Sequence, residues 1–392
     1  MKYRKDRYGN ELSQLGYGCM RFTRKGSQID YEKAEREVLS AIEKGVNYFD
    51  TAYAYVGSEE CLGRILEENN MRDKVNIATK LPQYLTKSMK AIEKTFNEEL
   101  ARLRTDHVDY YLMHMFTDIS EWERLKSYGI EDWIAARKAD GSIRQIGFSY
   151  HGDTDMFLQI LDAYDWDFCQ VQYNYLDEIS QAGRRGVEAA EAKGIPVVIM
   201  EPLRGGKLVN LPVRARRLLA ESGKGYSAAE LGLRWLWDQS GVTVVLSGMN
   251  SLEMVEENIR IASDAAPGCF DESDFALTDG IRGIIKENER VGCTGCRYCM
   301  PCPAGVDIPD NFHYWNLMYI EDKKTPARFE FARNVGLQKD AGFASRCVGC
   351  GKCEQHCPQH IQIREMLKKA DKDLRPLPYR VALPIVRKYM SR

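Results

Sequence analysis

Apolar segments typical of short β-strands alternate with helical segments over the first two thirds of the chain. Eight strands are predicted, at residues 12–20, 46–50, 75–80, 108–114, 143–149, 168–173, 196–201 and 243–247. Helical patterns lie between them, including Tyr31 to Lys44, and the clearest are Ser88 to Arg104 and Ala228 to Asp238. This alternation predicts an α/β fold with a parallel sheet. A hairpin-like start is expected before the first strand, around Gly9 and Asn10.

Residues able to do chemistry follow three successive strands. Asp50 ends the second strand, Tyr55 lies in the loop behind it, and Ser58 begins the next helical pattern. Lys80 ends the third strand and His114 follows the fourth. In a parallel α/β barrel, active-site residues collect at the carboxyl ends of the strands. We therefore expect these side chains to share one site.

The same residues resemble a known family. Asp-Thr-Ala-x-x-Tyr at 50–55, the lysine at a strand end and the histidine after the next strand are similar to the aldo-keto reductases, over about residues 12–265. The resemblance implies a (β/α)8 TIM barrel that binds NADP or NAD and transfers hydride between nicotinamide and a carbonyl or alcohol substrate. It also implies a catalytic tetrad of Asp50, Tyr55, Lys80 and His114.

The chemistry of hydride transfer gives each of these residues a role. Hydride addition to a carbonyl leaves negative charge on oxygen, so an acid is needed beside that oxygen. A free tyrosine has a pKa of about 10, and a lysine ammonium beside Tyr55 favours the phenolate. Asp50 holds Lys80 charged, and His114 orients the substrate oxygen. Taken singly, each residue also has a structural explanation: helix cap, solvated charge, loop aromatic or core histidine.

The later strand ends supply the expected contacts to the nicotinamide. The resemblance implies that Ser149 and Gln170 hold its carboxamide. Met200 stands where the family usually has an aromatic ring, so its thioether either packs on the nicotinamide or fills the barrel. Leu203, in the loop that follows, completes this set.

The adenine end of the cofactor is expected after the eighth strand. Gly248 lies in the loop there, and the helix that follows contains Glu257 and Asn258, which match family residues that bind the adenine end. The amino terminus of that helix favours phosphate. Basic residues that many members use for the 2′-phosphate are replaced by Gly248 and Met254, so the preference between NADP and NAD stays open. Arg204 or Lys207 either substitutes for them or is a solvated loop charge.

Length and charge limit the number of domains and the kinds of partner that the chain can have. The 392 residues suffice for a barrel of about 250 residues and a second unit. A formal net charge of -2 gives no reason to expect nucleic acid or an anionic membrane as a partner. With a polar start and no apolar run of membrane-spanning length, we expect a cytoplasmic protein.

Cysteine usage changes sharply near the end of the chain. Four of the 12 cysteines are scattered, whereas eight fall in two tight runs. The first run is Cys293, Cys296, Cys299 and Cys302, and the second is Cys347, Cys350, Cys353 and Cys357. In a chain without an export signal, such runs indicate metal ligands rather than disulfides. Four cysteines in one run favour iron–sulfur clusters over a zinc ribbon, which normally shows two separated pairs.

The second run has the bacterial ferredoxin spacing, and the first has one residue fewer before its last cysteine. This resembles a two-cluster [4Fe-4S] ferredoxin, in which the fourth cysteine of each run binds the other cluster. The resemblance implies Cys293, Cys296, Cys299 and Cys357 on one cluster, and Cys302, Cys347, Cys350 and Cys353 on the other. We place the barrel at 1–275 and a mainly helical ferredoxin-like domain, with a basic C-terminal tail, at 276–392.

Three functions are compatible with these two parts. The first is a carbonyl reductase or alcohol dehydrogenase whose clusters are structural or redox-sensing. The second is an electron-transfer protein that exchanges electrons with a ferredoxin or another redox protein. The third is a non-enzymatic sensor that binds nicotinamide. We find no flavin motif to convert a two-electron hydride into single electrons, which favours the first.

Overall fold

The computed structural model describes residues 1–320, 324–338, 340–380 and 382–383. The end of the predicted C-terminal tail, residues 384–392, lies outside the described residues. One compact unit comprises Met1–Leu203 and Ala229–Asp271. The other comprises Arg204–Ala228 and the described residues from Glu272 onward. The domain boundary predicted between residues 275 and 276 stays a prediction.

Eight parallel strands form a closed barrel in the first unit, which confirms the predicted fold class. The barrel strands are Leu15–Gly18, Tyr48–Asp50, Asn76–Leu81, Val108–Phe116, Ile143–Tyr150, Phe168–Gln172, Val197–Met200 and Val242–Ser247. Each pairs with the next one along the chain, and the eighth closes the ring by pairing with the first. The first strand is shorter than predicted, because residues 11–13 pair with Tyr3–Lys5 in the expected hairpin.

Helices follow the barrel strands and begin where the sequence supplies caps. They are Tyr31–Glu43, Ser58–Glu68, Met89–Leu103, Ile119–Ser127, Ile130–Ala139, Thr154–Ala163, Gly183–Ala192, Ala228–Trp237 and Leu252–Asp264. Asp30, Ser88 and Ser251 each accept a hydrogen bond from a backbone N–H of the first turn. Short 3₁₀ turns lie at Cys19–Arg21, Arg72–Lys74 and Arg204–Gly206, and a small ribbon pairs Arg24–Lys25 with Gln28–Ile29.

Alternate residues of the strands face the interior of the barrel. Tyr48, Tyr110 and Phe168 form an aromatic layer there, with ring centroids 5.1 and 5.2 Å apart. Because side chains of a strand alternate between its two faces, residues two positions further along point to the same interior, nearer the carboxyl ends. Asp50, Lys80, Leu112, Gln170 and Met200 occupy such positions, so the strand period brings the predicted site residues together.

The N-terminal hairpin covers the amino end of the barrel. Leu12 packs into the interior cluster. Asp6 accepts hydrogen bonds from Tyr110 Oη, at 2.7 Å, and from Gln145. The barrel is therefore filled and capped at this end.

The second unit is mainly helical, as predicted. Its helices are Val213–Glu221, Glu272–Asn288, Ile308–Ile320, Lys324–Phe331, Lys352–Gln355 and Ile363–Leu374, with single turns at Ala332–Gly336 and Ala344–Arg346. Phe312, Trp315, Phe331 and Leu367 contribute to its core, against which the cysteine loops pack. Over the part of the chain that the structure describes, no helix is both long and apolar enough to cross a bilayer.

Candidate active site and cysteine centres

A buried ion pair lies at the carboxyl ends of the second and third barrel strands. Lys80 Nζ is 2.7 Å from Asp50 Oδ1 and 2.6 Å from the carbonyl oxygen of Thr51. Lys80 is 1 % exposed and Asp50 is 4 % exposed. Gln170 Nε2 donates to the second carboxylate oxygen of Asp50 at 3.0 Å. Asp50 and the Thr51 carbonyl thus hold Lys80 directly, and Gln170 holds Asp50 in turn. Burying two charged side chains costs free energy, which indicates that the charge of Lys80 has a function.

Tyr55 and His114 complete the group. Lys80 Nζ lies 5.0 Å from the centre of the Tyr55 ring. The Tyr55 and His114 rings meet edge to face, with centroids 6.0 Å apart at 85°. The structure therefore brings all four predicted tetrad residues into one cluster, although the catalytic roles themselves stay predictions.

Burial shifts the ionisation of two members of this cluster. It raises the pKa of Asp50, against which the Lys80 charge and the hydrogen bonds from Lys80 and Gln170 act. Burial also lowers the pKa of His114 well below its ordinary value, and the charges of Lys80 and His151 lower it further. His114 is therefore a neutral imidazole at physiological pH. Its Nδ1 is buried without a hydrogen-bond partner in the described structure.

Two polar side chains suit the nicotinamide carboxamide. Gln170 Oε1 is buried with no hydrogen-bond partner among the described residues, which leaves an acceptor for an amide N–H. Ser149 Oγ accepts from the N–H of Met115 at 2.9 Å, so its own proton can be donated. Met115 has a left-handed backbone, with φ of 60°, which turns that N–H toward Ser149. The residues present fit the group that the resemblance implies.

Met200 and Leu203 lie on the same side of the barrel. The partly buried Met200 packs against the interior cluster, consistent with either use of its thioether. Leu203 has room because residue 232 is glycine: a Cβ there would come within 2.8 Å of Leu203 Cδ2.

The loop after the eighth strand shows a residue that the sequence did not single out. Arg21 runs against Gly248, where a Cβ would meet the Arg21 side chain at 3.0–3.2 Å. The glycine therefore makes room for a cation beside the helix that carries Glu257 and Asn258. Asn258 Nδ2 donates to Ser247 Oγ at 3.0 Å, which ties that helix to the strand end. Only the pairing of the first and eighth strands reveals this neighbour.

Arg204 and Lys207 are not solvated loop charges. Arg204 Nη1 lies 2.9 and 3.1 Å from the two carboxylate oxygens of Glu289, and Lys207 Nζ lies 3.2 Å from Oε1. Both cations are thus paired with one carboxylate of the C-terminal unit.

Three aromatic residues, Tyr84, Phe116 and Tyr150, lie at or just beyond the ends of the third, fourth and fifth strands, and two of them are packed in the core. Phe116 packs on Trp122 and Trp166, and Tyr150 donates to the Asp153 carbonyl at 2.5 Å; both are fully buried. The backbone turn at Met115 shifts the strand register before Phe116. Tyr84 alone lies near the cluster, 6.1 Å from His114 between ring centroids.

The eight clustered cysteines surround two separate small cavities. Cys293, Cys296, Cys299 and Cys357 line the first cavity, and Cys302, Cys347, Cys350 and Cys353 line the second. Burial, and after it the charges of the three other thiols at its cavity, raise the pKa of Cys299 to about 12. Four thiols around each cavity form a donor set suited to a cubane cluster. Within the described ranges, no three His, Cys, Asp or Glu side chains form a site for a single metal ion.

A closed parallel barrel with these groups at the carboxyl ends of its strands defines an NAD(P)-dependent oxidoreductase. The aldo/keto reductase family model matches residues 14–281, and the chain belongs to that family. A 4Fe-4S dicluster domain matches residues 292–361, which confirms the resemblance of both parts.

Known relatives cover the barrel. An aldo-keto reductase of Mycolicibacterium smegmatis is 30% identical over 281 residues, which span 70% of this chain and 89% of that protein. L-galactose dehydrogenase of Arabidopsis thaliana is 24% identical over 306 residues, 71% of this chain and 93% of the relative. The structure of an aldo-keto reductase from Klebsiella pneumoniae in complex with NADPH has a TM-score of 0.58 at 21% identity, covering 72% of this chain and 95% of that one. The last likeness is one of fold.

Proposed function

We propose that this protein interconverts a carbonyl and an alcohol, with Tyr55 as the general acid and base. The observation that carries the proposal is the buried Lys80, held by Asp50 at 2.7 Å and lying 5.0 Å from the Tyr55 ring. An ammonium at that place stabilises the phenolate, so Tyr55 gives up its proton to a developing alkoxide more readily than a free tyrosine does.

His114 supports this assignment by being unable to replace Tyr55. With its pKa well below the ordinary value, the imidazole carries no surplus proton at neutral pH. A neutral ring still donates one hydrogen bond, which orients the substrate oxygen toward Tyr55. Proton transfer therefore belongs to Tyr55 and positioning to His114.

The cofactor in this proposal is NADP or NAD, which supplies or accepts the hydride when bound. Ser149 and Gln170 hold the carboxamide, while Met200 and Leu203 contact the nicotinamide. At the other end Gly248, Glu257 and Asn258 form the adenine subsite, and Arg21 provides a cation beside Gly248. Arg21 is thus the residue of this chain best placed to favour NADP.

The C-terminal unit holds two [4Fe-4S] clusters in this proposal. Clusters of this kind transfer single electrons. The two sets of four thiols are those predicted from the cysteine runs, and each set surrounds one cavity. We call the cluster at Cys293, Cys296, Cys299 and Cys357 the first cluster, and the other the second cluster.

The test of the catalytic proposal is Tyr55→Phe in anaerobically purified protein. Carbonyl reduction with NADPH or NADH should fall at least a hundredfold, because the acid is removed, while the visible absorbance of the clusters persists. Tyr53→Phe is the matched control: it removes a phenol from the same loop, one whose hydroxyl bonds Glu98 at 3.0 Å instead. Unchanged turnover in Tyr55→Phe refutes the proposal.

The substrate screen follows from the relatives. Aldehydes, ketones and sugars belong in it, with L-galactose included because one relative is named for it. Tight binding of nicotinamide without turnover of any of these compounds favours the sensor function instead.

Exposure of one cysteine favours a second candidate function, exchange of electrons with a redox protein. Cys350 is exposed, and the neighbouring Val348 is 74 % exposed. An accessible cluster edge with an apolar neighbour suits transient docking of an electron carrier. Anaerobic mixing with NADH or NADPH should then bleach the cluster absorbance, and its persistence with and without substrate counts against this function.

A further inference from the structure

Two cations and one carboxylate meet beside the loop that begins the first cysteine run. Glu289 accepts from both Arg204 and Lys207. The Arg204 side chain is 6 % exposed, that of Glu289 15 % and that of Lys207 24 %. The group carries a net positive charge, and it is largely withdrawn from water.

The position of this group relative to the cysteines is fixed by the backbone. Arg204 Nη2 approaches the carbonyl oxygen of Gly292 at 3.5 Å, one residue before Cys293. Burial lowers the pKa of Lys207, while the charges of Glu289 and Cys293 act in the opposite direction, so the Cys293 sulfur lies within electrostatic reach of the ammonium. A Cβ at residue 292 would come within 3.2 Å of Arg204, so glycine permits the approach.

The loop itself is held rigidly from the other side. Asn316 accepts from the N–H groups of Arg290 and Val291, at 2.9 and 3.1 Å, and donates to the Val291 carbonyl at 2.7 Å. Arg204 has φ of 49°, a left-handed conformation that a non-glycine residue adopts only where its surroundings enforce it. These constraints indicate that the position of the Arg204 cation has a function, in contrast to an ordinary surface contact.

We propose that Arg204 and Lys207, clamped by Glu289, set the reduction potential of the first cluster by placing positive charge next to its Cys293 ligand. The inference rests on the proposed cluster content. A [4Fe-4S] cluster held by these cysteines would become more negative by one charge on accepting an electron, and a nearby net positive charge would stabilise that state. The cations should therefore make the first cluster easier to reduce than it would be without them.

The sign of the effect distinguishes this role from simple support of the fold. Lys207→Met removes a positive charge and should lower the midpoint potential of one cluster. At the wild-type midpoint, the reduced-to-oxidised ratio should fall about tenfold, equivalent to about 59 mV for a one-electron couple. Glu289→Gln removes the negative charge and should raise the same midpoint. Lys207→Arg keeps the charge and should restore the wild-type value.

The experiment is an anaerobic redox titration of the full chain followed by electron paramagnetic resonance, with iron and sulfide determined first. Arg214→Met is the matched control, since it breaks an exposed 3.0 Å pair with Glu287 between the same two segments. In this variant the reduced-to-oxidised ratio at the wild-type midpoint should change less than twofold. Unshifted midpoints in Lys207→Met and Glu289→Gln, or shifts of one sign in both, refute the tuning role while leaving the clusters established. Wild-type protein without iron refutes the cluster content as well. If Glu289→Gln does not fold, the Lys207 variants decide alone.

Discussion

Removing the charge of Lys80 is the most direct test of the proposed acid. Lys80 Nζ lies 5.0 Å from the Tyr55 ring centre. At that separation, two unit charges interact by about 3 kcal/mol with an effective dielectric constant of about 20. Lys80→Met should therefore remove that much stabilisation from the Tyr55 phenolate. Alcohol oxidation at neutral pH requires the phenolate, so its rate should fall by about two orders of magnitude.

The pH dependence makes this prediction specific. Raising the pH ionises Tyr55 without help from an ammonium, so the Lys80→Met rate should recover toward high pH more steeply than the wild-type rate. Tyr55→Phe combined with Lys80→Met should show no such recovery. The assay is steady-state alcohol oxidation from pH 6 to pH 10, followed by nicotinamide absorbance.

Loss of activity by misfolding must be separated from loss of the charge. Lys80→Met leaves Asp50 buried without its partner, which costs about 3–5 kcal/mol of stability. The double variant Asp50→Asn, Lys80→Met removes both charges and should regain much of the thermal stability but none of the neutral-pH activity. Full activity of Lys80→Met at pH 7, or a pH profile parallel to wild type, refutes the reasoning.

Three further predictions concern stability, coenzyme choice and the clusters. Burial raises the pKa of Glu59 to about 7 from 4.5, so the folded state keeps a proton that the unfolded chain releases between these values, and the free energy of unfolding should fall as pH rises from 4.5 to 7; urea unfolding of Glu59→Gln should show a shallower slope. Arg21→Ala should weaken NADPH binding about tenfold and NADH binding less than threefold, measured by quenching of protein fluorescence, and equal losses would remove Arg21 from the 2′-phosphate. Cys357→Ser should remove the resonance of the cluster that contains Cys299 and leave the other, whereas loss of the signal of the cluster that contains Cys347 would overturn the exchange of ligands between the two runs.

Much of the barrel could be predicted because its signals are local. The strand period of two and the helical pattern between strands predicted all eight strands. The predicted strand ends also placed Asp50, Lys80 and His114 together at the carboxyl ends of the strands. The resemblance of the cysteine runs to a two-cluster ferredoxin likewise predicted which thiols line the same cavity. These features depend on short stretches of chain, whose geometry the residues themselves determine.

Other features depend on which distant segments become neighbours, and no local pattern of residues indicates them. In the sequence, Gly248 stands where many family members have a basic residue. In the structure, its lack of a side chain makes room for Arg21, which lies in the loop after the first strand. Arg204 and Lys207 were candidates for the cofactor, but Glu289 lies 85 and 82 residues further along and takes both. Phe116 packs on Trp122 and Trp166, because the left-handed Met115 breaks the alternation of the strand.

The aromatic layer of Tyr48, Tyr110 and Phe168, with the N-terminal hairpin behind it, has a consequence for the order of events during turnover. Because the described barrel interior is filled at its amino end, we expect dinucleotide and substrate both to enter from the carboxyl ends of the strands. Met200 packs against the cluster that contains this layer, and Gln170 lies two positions beyond Phe168 on the same strand. Because both residues are proposed nicotinamide contacts, we expect the dinucleotide to bind before the substrate and to leave after the product. Product-inhibition patterns in steady-state kinetics should then be those of an ordered mechanism in which the dinucleotide binds first.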